Sequence, residues 1–598
     1  MTSPQDEQGD KPPSSGSAGS DDAAEHPHPQ PPVGIEETGP IPVVDREGVQ
    51  DSSDEGLLAS SAVMAVGSAI SRLTGVLRDM ALTAALGLYI VRDAFALGNS
   101  LPNIIYIMVI GGALNAVFVP QLVRRMREDA DAGKAYTDAL LSATGTVLLV
   151  LSVLAVLAAP FLVGIYASAS YSDDQLALSV AFARYCLPQI FFYGLYTMLA
   201  QVLNARGHFA MPMFAPIANN IVAIGVYLSF AFIVGTEQAA TGYLTPEQTA
   251  WLGLGTTLGV AIQALVLIPV IGRAGYHFGF TLQWRGLGLG KAARLAGWTI
   301  GLVLANQISW IVTTRLATTA NVNAAAAGEP PAGLATYQTA NLIFMLPHGI
   351  VTVSIVTALL PALSRTVDAG RLKEAGSELA RTTRTVLLLI APLGVGMFML
   401  ASPAAALLFG YGAADAAQVE QLAIVTQIFA LGLAPFTVYY VLLRGWYAME
   451  DTRTPFFMAL VLNAINVTLA LSLFSLAGPG APQVNALAAA YIMTYWLIVL
   501  LAWPILARRY RGLETPRTLV AFVKIAVASL VGFTGGWLMQ FWLGTYDLGD
   551  SKLQALWTLT YVGLGIFIAY GVAVWLLRIE EASILGSTIR SRLPGRSG

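Results

Sequence analysis

Residues 57–86 read LLASSAVMAVGSAISRLTGVLRDMALTAAL, an apolar stretch that nevertheless contains Arg72, Arg78 and Asp79. About 20 apolar residues in a helix are enough to cross the hydrocarbon core of a membrane. Charged side chains inside such a span are costly and usually face a cavity or a partner. The stretch therefore predicts a membrane helix with a functional polar face.

The rest of the chain repeats this pattern. Of 598 residues, 55% are hydrophobic and 12% are charged, and the mean hydropathy is +0.63. Soluble proteins average about 25% charged residues, so the composition excludes an ordinary cytosolic enzyme and predicts an all-α polytopic membrane protein. We expect fourteen spans, at approximately 57–86, 93–120, 136–167, 176–204, 212–235, 250–272, 293–317, 334–361, 382–408, 420–447, 455–477, 484–507, 517–543 and 553–577.

Basic residues alternate from loop to loop. Every loop after an even-numbered span carries Lys or Arg, whereas those after the third, fifth, seventh, ninth and eleventh spans carry neither. The loop after the thirteenth span has only Lys552. Because short loops rich in Lys and Arg stay in the cytoplasm, both termini are predicted to be cytoplasmic.

The N-terminal segment, residues 1–56, differs from this body. Residues 1–55 contain thirteen acidic residues against two basic ones, and nine prolines. Such a segment buries too little apolar surface to offset the entropy lost on ordering, so we expect a disordered acidic cytoplasmic tail. It is either a plain solvated extension or a tail that binds regulatory or cell-wall synthesis proteins.

Two pairs of sequence matches indicate an internal repeat. The segment that ends at Arg124 resembles the one that ends at Arg365, an offset of 241 residues. Pro212, Phe214 and Asn220 match Pro455, Phe457 and Asn463, an offset of 243 residues. Parallel repeats of this kind place a transporter's substrate site between the two halves.

The polar residues of the first span suggest an anion site. In a helix, Ser71, Gly75 and Arg78 share one face, whereas Arg72 and Arg78 diverge by about 120°. The two arginines are therefore placed to grip a bulky anion from two sides; the alternative is that Arg78 extends to a nearby interface. Arg315 follows Arg72 by 243 residues, close to the repeat offset.

Other polar residues leave the driving force open. A sodium site near Asn306, Asn463 and Asn466, proton coupling through His348 and the membrane potential are all compatible with the sequence. Arg92 and Asp93 are expected at the outer end of the first hairpin as a local ion pair.

Neither a metal site nor enzymatic catalysis is indicated. Cys186 is a single cysteine that we expect to be buried, and the five histidines do not cluster. No cofactor and no nucleic acid is expected, and we found no arrangement of a nucleophile with a base in the spans. The coupling ion stays unknown.

One set of motifs resembles a known family. It comprises Ser71-Arg72-x-x-Gly75-x-x-Arg78-Asp79, Asp93-Ala94-Phe95, Leu101-Pro102-Asn103, Gly112-Ala113 and a segment that ends at Pro120. Together they resemble the MurJ (MviN) family of lipid II flippases, and specifically an actinobacterial member.

The resemblance implies a fold of two six-helix lobes, 57–272 and 273–507, followed by two further transmembrane helices, 508–578, and a short basic cytoplasmic tail, 579–598. It implies transport of lipid II, undecaprenyl-pyrophosphate-linked disaccharide-pentapeptide, from the inner to the outer leaflet of the bacterial cytoplasmic membrane. Lipid II and membrane lipids are the implied partners. Ser71, Arg72, Arg78 and Asp93 match polar cavity residues of the family, and Gly75, Pro102, Asn103, Gly112 and Pro120 are interpreted as hinge or packing residues.

The chain departs from the family at two cationic positions. Many relatives have Arg shortly after Leu-Pro-Asn, where this chain has Ile104, Ile105 and Tyr106, and the eighth span has Leu342 where many have Arg. Arg315 either supplies the third cation or lies at the outer end of its helix. The alternative function is a cation-coupled multidrug exporter, or an exporter of another polyprenyl-linked oligosaccharide, with the same fold.

The topology is testable with reporter fusions. Fusions after Arg127 and after Arg511 should report a cytoplasmic location, and a fusion after Pro482 should report a periplasmic one, because the intervening loops alternate in basic residues. A periplasmic signal at Arg127 would contradict the whole assignment of spans.

Overall fold

The computed structural model describes residues 54–110, 119–131, 133–283 and 289–583, and its regular elements there are all helical. The predicted hinge residue Gly112 and the acidic tail before residue 54 lie outside these ranges. The first ten α-helices are α1 (Asp54–Leu86), α2 (Ile90–Ile110), α3 (Val119–Glu128), α4 (Lys134–Leu157), α5 (Ala159–Tyr166), α6 (Asp173–Cys186), α7 (Gln189–Ala205), α8 (Ala210–Ile233), α9 (Pro246–Leu265) and α10 (Leu267–Arg273).

Eleven further α-helices follow, with a short 3₁₀ turn (Gln238–Thr241) before α9 and one π-helical turn (His348–Thr352) between α12 and α13. They are α11 (Leu289–Ala327), α12 (Leu334–Pro347), α13 (Val353–Asp368), α14 (Leu372–Met399), α15 (Ala401–Phe409), α16 (Ala416–Ala430), α17 (Leu433–Ala448), α18 (Arg453–Leu476), α19 (Ala481–Arg509), α20 (Thr515–Leu543) and α21 (Lys552–Leu576).

The helices pack in two groups, and corresponding helices of the two groups form the same pairs. In the first group, α1–α10, the main pairs are α1 with α8, α2 with α6, α4 with α7 and α8 with α9. In the second group, α11–α19, they are α11 with α18, α12 with α16, α14 with α17 and α18 with α19. Each pair in the second group lies ten helices after its counterpart in the first.

Several predicted spans are interrupted where the sequence weakens the helix. Pro188 separates α6 from α7, and Pro347 ends α12 just before the π-helical turn. Proline lacks the N–H of the helical hydrogen bond and clashes with the preceding turn. The helices α16 and α17 meet at an angle of 48°.

Ten helical segments of the described ranges are long and apolar enough to cross a membrane, and eleven if α16 and α17 form one bent span. The predicted spans at 57–86, 93–120 and 293–317 fall on α1, on α2 with α3, and on α11. The prediction of a polytopic all-α membrane protein is confirmed, while length and composition establish ten or eleven of the fourteen spans. Large apolar side chains project outward from these helices, as at Phe232, which is 95% exposed.

The segment that connects the two groups is hydrogen-bonded to the first group. Residues 274–283 run along the start of α4, where Asp138 accepts hydrogen bonds from the Tyr276 hydroxyl at 2.5 Å and the Gly279 amide at 3.0 Å. Burial and the neighbouring carboxylate raise the pKa of Tyr276, so the phenol stays protonated. Lys134 pairs with the same carboxylate at 2.5 Å.

The last two helices pack on each other and on α14 and α15 of the second group. Lys552, the lysine that interrupts the loop pattern, lies at the start of α21. Its Nζ donates to the carbonyl oxygens of Ala406 and Gly410 at 2.6 and 2.7 Å, and it lies over the Tyr411 ring at 4.7 Å. The Ala406 carbonyl already accepts from the Gly410 amide, so Lys552 adds a second donor there and provides a donor to the Gly410 carbonyl, at the helix end where a cation is favoured.

Replacing this lysine should therefore loosen α21. Lys552→Met should reduce stability by about 2 kcal/mol, the typical size of a hydrogen bond to a charged group, and lower the midpoint of thermal unfolding in detergent. The matched control is Lys373→Met, which alters an exposed lysine and should leave the midpoint unchanged. Equal midpoints for the two variants would contradict the capping role.

Candidate functional site

The polar face of α1 is held by one asparagine of α8. Asn220 Oδ1 accepts a hydrogen bond from Arg78 Nη1 at 3.3 Å. Its Nδ2 donates to the Ser71 carbonyl at 3.2 Å and to Thr74 Oγ1 at 2.9 Å. Three of the residues expected to share a face, Ser71, Gly75 and Arg78, therefore lie toward α8; a methyl group at Gly75 would meet Asn220 Nδ2 at an ordinary 3.8 Å.

A polar cavity of about 150 Å³ opens beside this face. Arg78, Asp79 and Arg92 are its charged lining residues, with two positive side chains against one negative. The second group contributes Gln338 from α12, so the cavity lies where the two groups meet. Its remaining lining residues are Leu82, Ala96, Asn99, Ser100, Tyr193, Asn219, Ala223, Tyr227, Thr256 and Val260.

The ion pair in this cavity differs from the predicted one. Arg92 Nη2 lies 2.9 Å from Asp79 Oδ1, and the arginine side chain is only 5% exposed. The expected local pair of Arg92 with Asp93 is wrong, because successive residues of a helix point in different directions. Asp79 Oδ2 also accepts a hydrogen bond from Thr339 of α12 at 3.3 Å.

Asp93 joins the two groups. Its side chain is fully buried and accepts hydrogen bonds from Asn321 Nδ2 at 2.8 Å, the Leu334 amide at 3.1 Å and the Ala335 amide at 2.6 Å. The two amides belong to the first turn of α12, where backbone N–H groups have no helical partner. A methyl group at Gly333 would collide with the carboxylate, so a glycine is needed there.

Further hydrogen bonds between the groups cluster around Asp93. The Ala413 amide donates to the Ala84 carbonyl at 2.9 Å, and the Leu88 amide donates to Gln418 Oε1 at 2.8 Å. Two glycines with positive φ, Gly87 and Gly412, let these loops approach closely. The inter-group seal is this set of contacts, completed by Asp93 with α12, Tyr89 with Asp415 at 3.2 Å and Ser168 with Thr319 at 2.8 Å.

The two other predicted arginines lie outside the cavity lining. Arg315 Nη1 is 3.5 Å from the carbonyl of Ile165 at the end of α5, so the structure does not bring it to Arg78. Arg72 lies six residues before Arg78, about 9 Å along the helix. Its guanidinium packs against Gly349 in the π-helical turn, where a methyl group would collide with it.

The candidate ion-coupling residues form an amide cluster and a separate aromatic site. Asn463 Nδ2 donates to Asn306 Oδ1 at 2.7 Å, and Asn466 Oδ1 accepts from Ser309 at 2.8 Å. The cluster offers oxygen atoms but no carboxylate, and the described residues contain no group of His, Cys, Asp and Glu suited to a metal. His348 is fully buried, with its ring centroid 4.6 Å from that of Phe436 and 4.8 Å from that of Tyr440.

The remaining predicted residues lie on α2 and α3. Pro102 is buried within α2 and Asn103 is half-buried beside it. Pro120 lies in the first turn of α3, where a missing N–H is tolerated. Cys186 is buried, as expected.

Sequence reasoning missed the neutral residues of the cavity. Asn99, Asn219 and Gln338 come from three different helices, and no local motif connects them. The available signal was weak: an amide side chain within an otherwise apolar span.

The comparisons point to one family. A family model described as "Lipid II flippase MurJ" matches residues 82–556. The chain is 29% identical to a probable lipid II flippase MurJ of Rhizobium meliloti, over 84% of this chain and 90% of the relative. It is 30% identical to a lipid II flippase MurJ of Burkholderia cenocepacia, over 64% of this chain and 72% of the relative.

Two solved structures show the same fold. The structure of lipid II flippase MurJ in an inward closed conformation superposes with a TM-score of 0.67 and 19% identity, and it covers 86% of this chain and 99% of that one. An inward-facing multidrug resistance transporter of the MATE family superposes with a TM-score of 0.50 and 12% identity, over 76% of this chain and 96% of that one.

Weakening the Asp93 contacts should open the inter-group seal. Asp93→Asn replaces one accepting oxygen with an amide that cannot accept from a backbone N–H, a loss of about 1–3 kcal/mol. The reporter is a Thr339→Cys variant that lacks Cys186. A membrane-impermeant maleimide, added from the side of the seal, should react with the introduced cysteine about tenfold faster when Asp93→Asn is present than when Asp93 is unchanged.

The matched control is Asp174→Asn, which changes an exposed aspartate in the first turn of α6. It should leave the labelling rate unchanged. If Asp93→Asn labels no faster than this control, Asp93 does not hold the seal closed.

Proposed function

Because the chain belongs to the MurJ family of lipid II flippases, we propose that it moves lipid II from the inner to the outer leaflet of the bacterial cytoplasmic membrane. It is a transporter and catalyses no chemical reaction. This proposal rests on the family match over residues 82–556, which contains every lining residue of the cavity except Arg78 and Asp79.

The charge of the cavity suits the head group of this substrate. Lipid II carries a pyrophosphate, and guanidinium groups bind phosphate oxygens in bidentate fashion without losing their proton. Arg78 and Arg92 provide two such groups against the single carboxylate of Asp79. The same sign of charge disfavours cationic drugs, the substrates of the alternative exporter.

Transport proceeds by alternating access between two lobes, 57–272 and 273–507. The parallel helix pairing of the two groups supports a repeat, and the sequence supports fourteen spans with two additional helices at 508–578. The head group occupies the cavity between the lobes, while the prenyl chain stays in lipid.

The seal lies among the loops that carry almost no Lys or Arg. With both termini in the cytoplasm, these loops face outward, so the described conformation is closed to the periplasm. The cavity then receives the head group from the cytoplasmic side, and the seal must open for release.

Asp79 connects the cavity to the second group. One of its oxygens pairs with Arg92 and the other accepts from Thr339 of the second group. A pyrophosphate that enters the cavity competes with Asp79 for the arginine. A ligand shifts a conformational equilibrium only by its differential affinity for the two states, and this competition supplies the difference.

The proposal also covers the driving force of transport and the binding partners of the chain. The amide cluster of Asn306, Asn463 and Asn466 is the proposed ion site, with His348 and the membrane potential as the other sources of driving force. Lipid II and membrane lipids are the partners, and the N-terminal tail is the place for regulatory or cell-wall synthesis proteins.

Depletion of the chain tests the function directly. In a bacterium that has no other lipid II flippase, outer-leaflet lipid II should fall and inner-leaflet lipid II should accumulate. The measurement is cleavage of lipid II by an added enzyme that cannot cross the membrane. Normal outer-leaflet lipid II after depletion would contradict the assignment.

Arg72 and Arg78 are the proposed pyrophosphate ligands of α1, with Ser71 beside them. Because Arg72 packs against Gly349 outside the cavity lining, it would contact the head group only after the helix groups rearrange, and this makes Arg72 the sharper test. Arg72→Ala should abolish complementation of a flippase-depleted strain at normal protein level. Arg72→Lys should rescue only partly, since an ammonium group keeps the charge but loses the bidentate geometry. Arg184→Ala, at an exposed arginine of α6, is the control and should complement fully; full complementation by Arg72→Ala would remove Arg72 from the site.

A further inference from the structure

We propose that Asn99 binds the substrate as a neutral hydrogen-bond donor, and that Gln189 and Thr257 fix its orientation. The inference rests on the proposed function, because it assigns Asn99 to the phosphate oxygens of the same head group. It concerns a residue of α2 that none of the sequence motifs contains.

The orientation of Asn99 follows from a chain of hydrogen bonds that starts at a backbone carbonyl. The Thr257 hydroxyl donates to the Tyr185 carbonyl at 2.8 Å. A carbonyl only accepts, so the hydroxyl proton is committed there and Thr257 Oγ1 acts as an acceptor toward its other neighbour.

That neighbour is Gln189, whose side chain is completely buried. Its Nε2 donates to Thr257 Oγ1 at 3.1 Å and to Asn99 Oδ1 at 3.2 Å. With its amide oxygen turned toward Gln189, Asn99 directs its Nδ2 group away from Gln189. Asn99 also lines the cavity, so the group left for a ligand is a donor.

The observed orientation of the Gln189 amide leaves one buried acceptor unpaired. Its Oε1 is buried and has no hydrogen-bond partner among the described residues. In a flipped amide, Gln189 Oε1 would face Asn99 and Thr257 Oγ1. Two acceptors would then meet at Thr257, because the Thr257 proton is already donated to the Tyr185 carbonyl. An unpaired buried acceptor is unfavourable, which indicates that the relay determines the polarity of Asn99.

The position of Asn99 on α2 suits a phosphate. Arg92, Ala96 and Asn99 recur at helical spacing, so they lie on one face, and all three line the cavity. Arg92 and Asn99 are about 10 Å apart along the helix axis, with the small side chain of Ala96 between them. An oxygen-rich group over Ala96 would receive hydrogen bonds from both sides.

A neutral donor also fits the charge of this chain. The cavity already has two arginines against one carboxylate. Asn99 supplies a hydrogen bond to the anion without adding a positive charge to the cavity. The acceptor is a phosphate oxygen in this proposal; an amide carbonyl of the sugar or peptide is the other source of the same chemistry.

A comparison of two lipids distinguishes a phosphate oxygen from an amide carbonyl of the sugar or peptide as the acceptor. The full chain in nanodiscs is titrated with undecaprenyl pyrophosphate, which has no sugar or peptide, and with lipid II. Asn99→Ala should weaken both affinities about tenfold, the effect expected from a lost hydrogen bond to a charged group. Asn99→Asp should weaken them further, because a carboxylate repels phosphate yet still accepts from Gln189.

The matched control is Asn485→Asp. Asn485 Oδ1 accepts from Gln421 Nε2 at 2.9 Å in the second group, which is the same type of contact at a similarly half-buried asparagine away from the cavity. This variant should fold and bind both lipids as the unmodified chain does. It therefore measures the effect of an Asn-to-Asp change at a position outside the cavity.

A double-mutant cycle tests the positioning role of Gln189. Gln189→Met should weaken binding severalfold in the unmodified background and have no further effect in the Asn99→Ala background. A merely structural effect of Gln189 would be the same in both backgrounds.

The outcomes distinguish this inference from the proposed function. If the unmodified chain binds neither lipid, the proposed function fails. If it binds both and the Asn99 variants bind equally well, only the role of Asn99 is overturned. A loss confined to lipid II would place the acceptor on the sugar or peptide and overturn the phosphate assignment.

Discussion

A charge in the interior of a membrane protein needs a partner, and this requirement explains where the described charges lie. Arg78 is held by Asn220 of α8, and Arg92 by Asp79 of α1, at the surface where the two helix groups meet. Hydrocarbon offers no hydrogen bonds, so an unpaired charge there costs several kcal/mol. Several buried charged residues therefore lie between the groups, and apolar side chains such as Phe232 cover the outside.

The same requirement makes the inter-group seal reversible. Asp93 accepts two backbone amides from the start of α12, and the neighbouring loops exchange single hydrogen bonds such as that of Leu88 with Gln418. Water can replace each of these bonds when the groups separate, so the net free energy per bond is about 1 kcal/mol. A closure built this way is stable as a set, although each bond in it contributes little.

The sequence predicted the class of the fold and the helix that carries the site, because both depend on local patterns. Apolar length and composition predicted an all-α membrane protein, and the polar face of α1 followed from helical periodicity. The partners of these residues were harder to predict. Arg92 pairs with Asp79 rather than with Asp93 next to it, and Arg315 contacts the end of α5. Such contacts depend on the packing of helices that are far apart in the sequence.

The modest charge of the cavity has a consequence for transport. A carrier that held a pyrophosphate with many unopposed cations would release it slowly, because each lost charge-assisted contact adds to the barrier for dissociation. Here one carboxylate already opposes two arginines, and the remaining lining consists largely of hydroxyl, amide and small apolar groups. In the proposed transport, Asp79 pairs with Arg92 again when the substrate leaves, so the cation does not remain unpaired in the membrane. Under this proposal, the internal carboxylate lowers the affinity of the loaded state and stabilises the empty one, and a carrier needs both to return for another substrate.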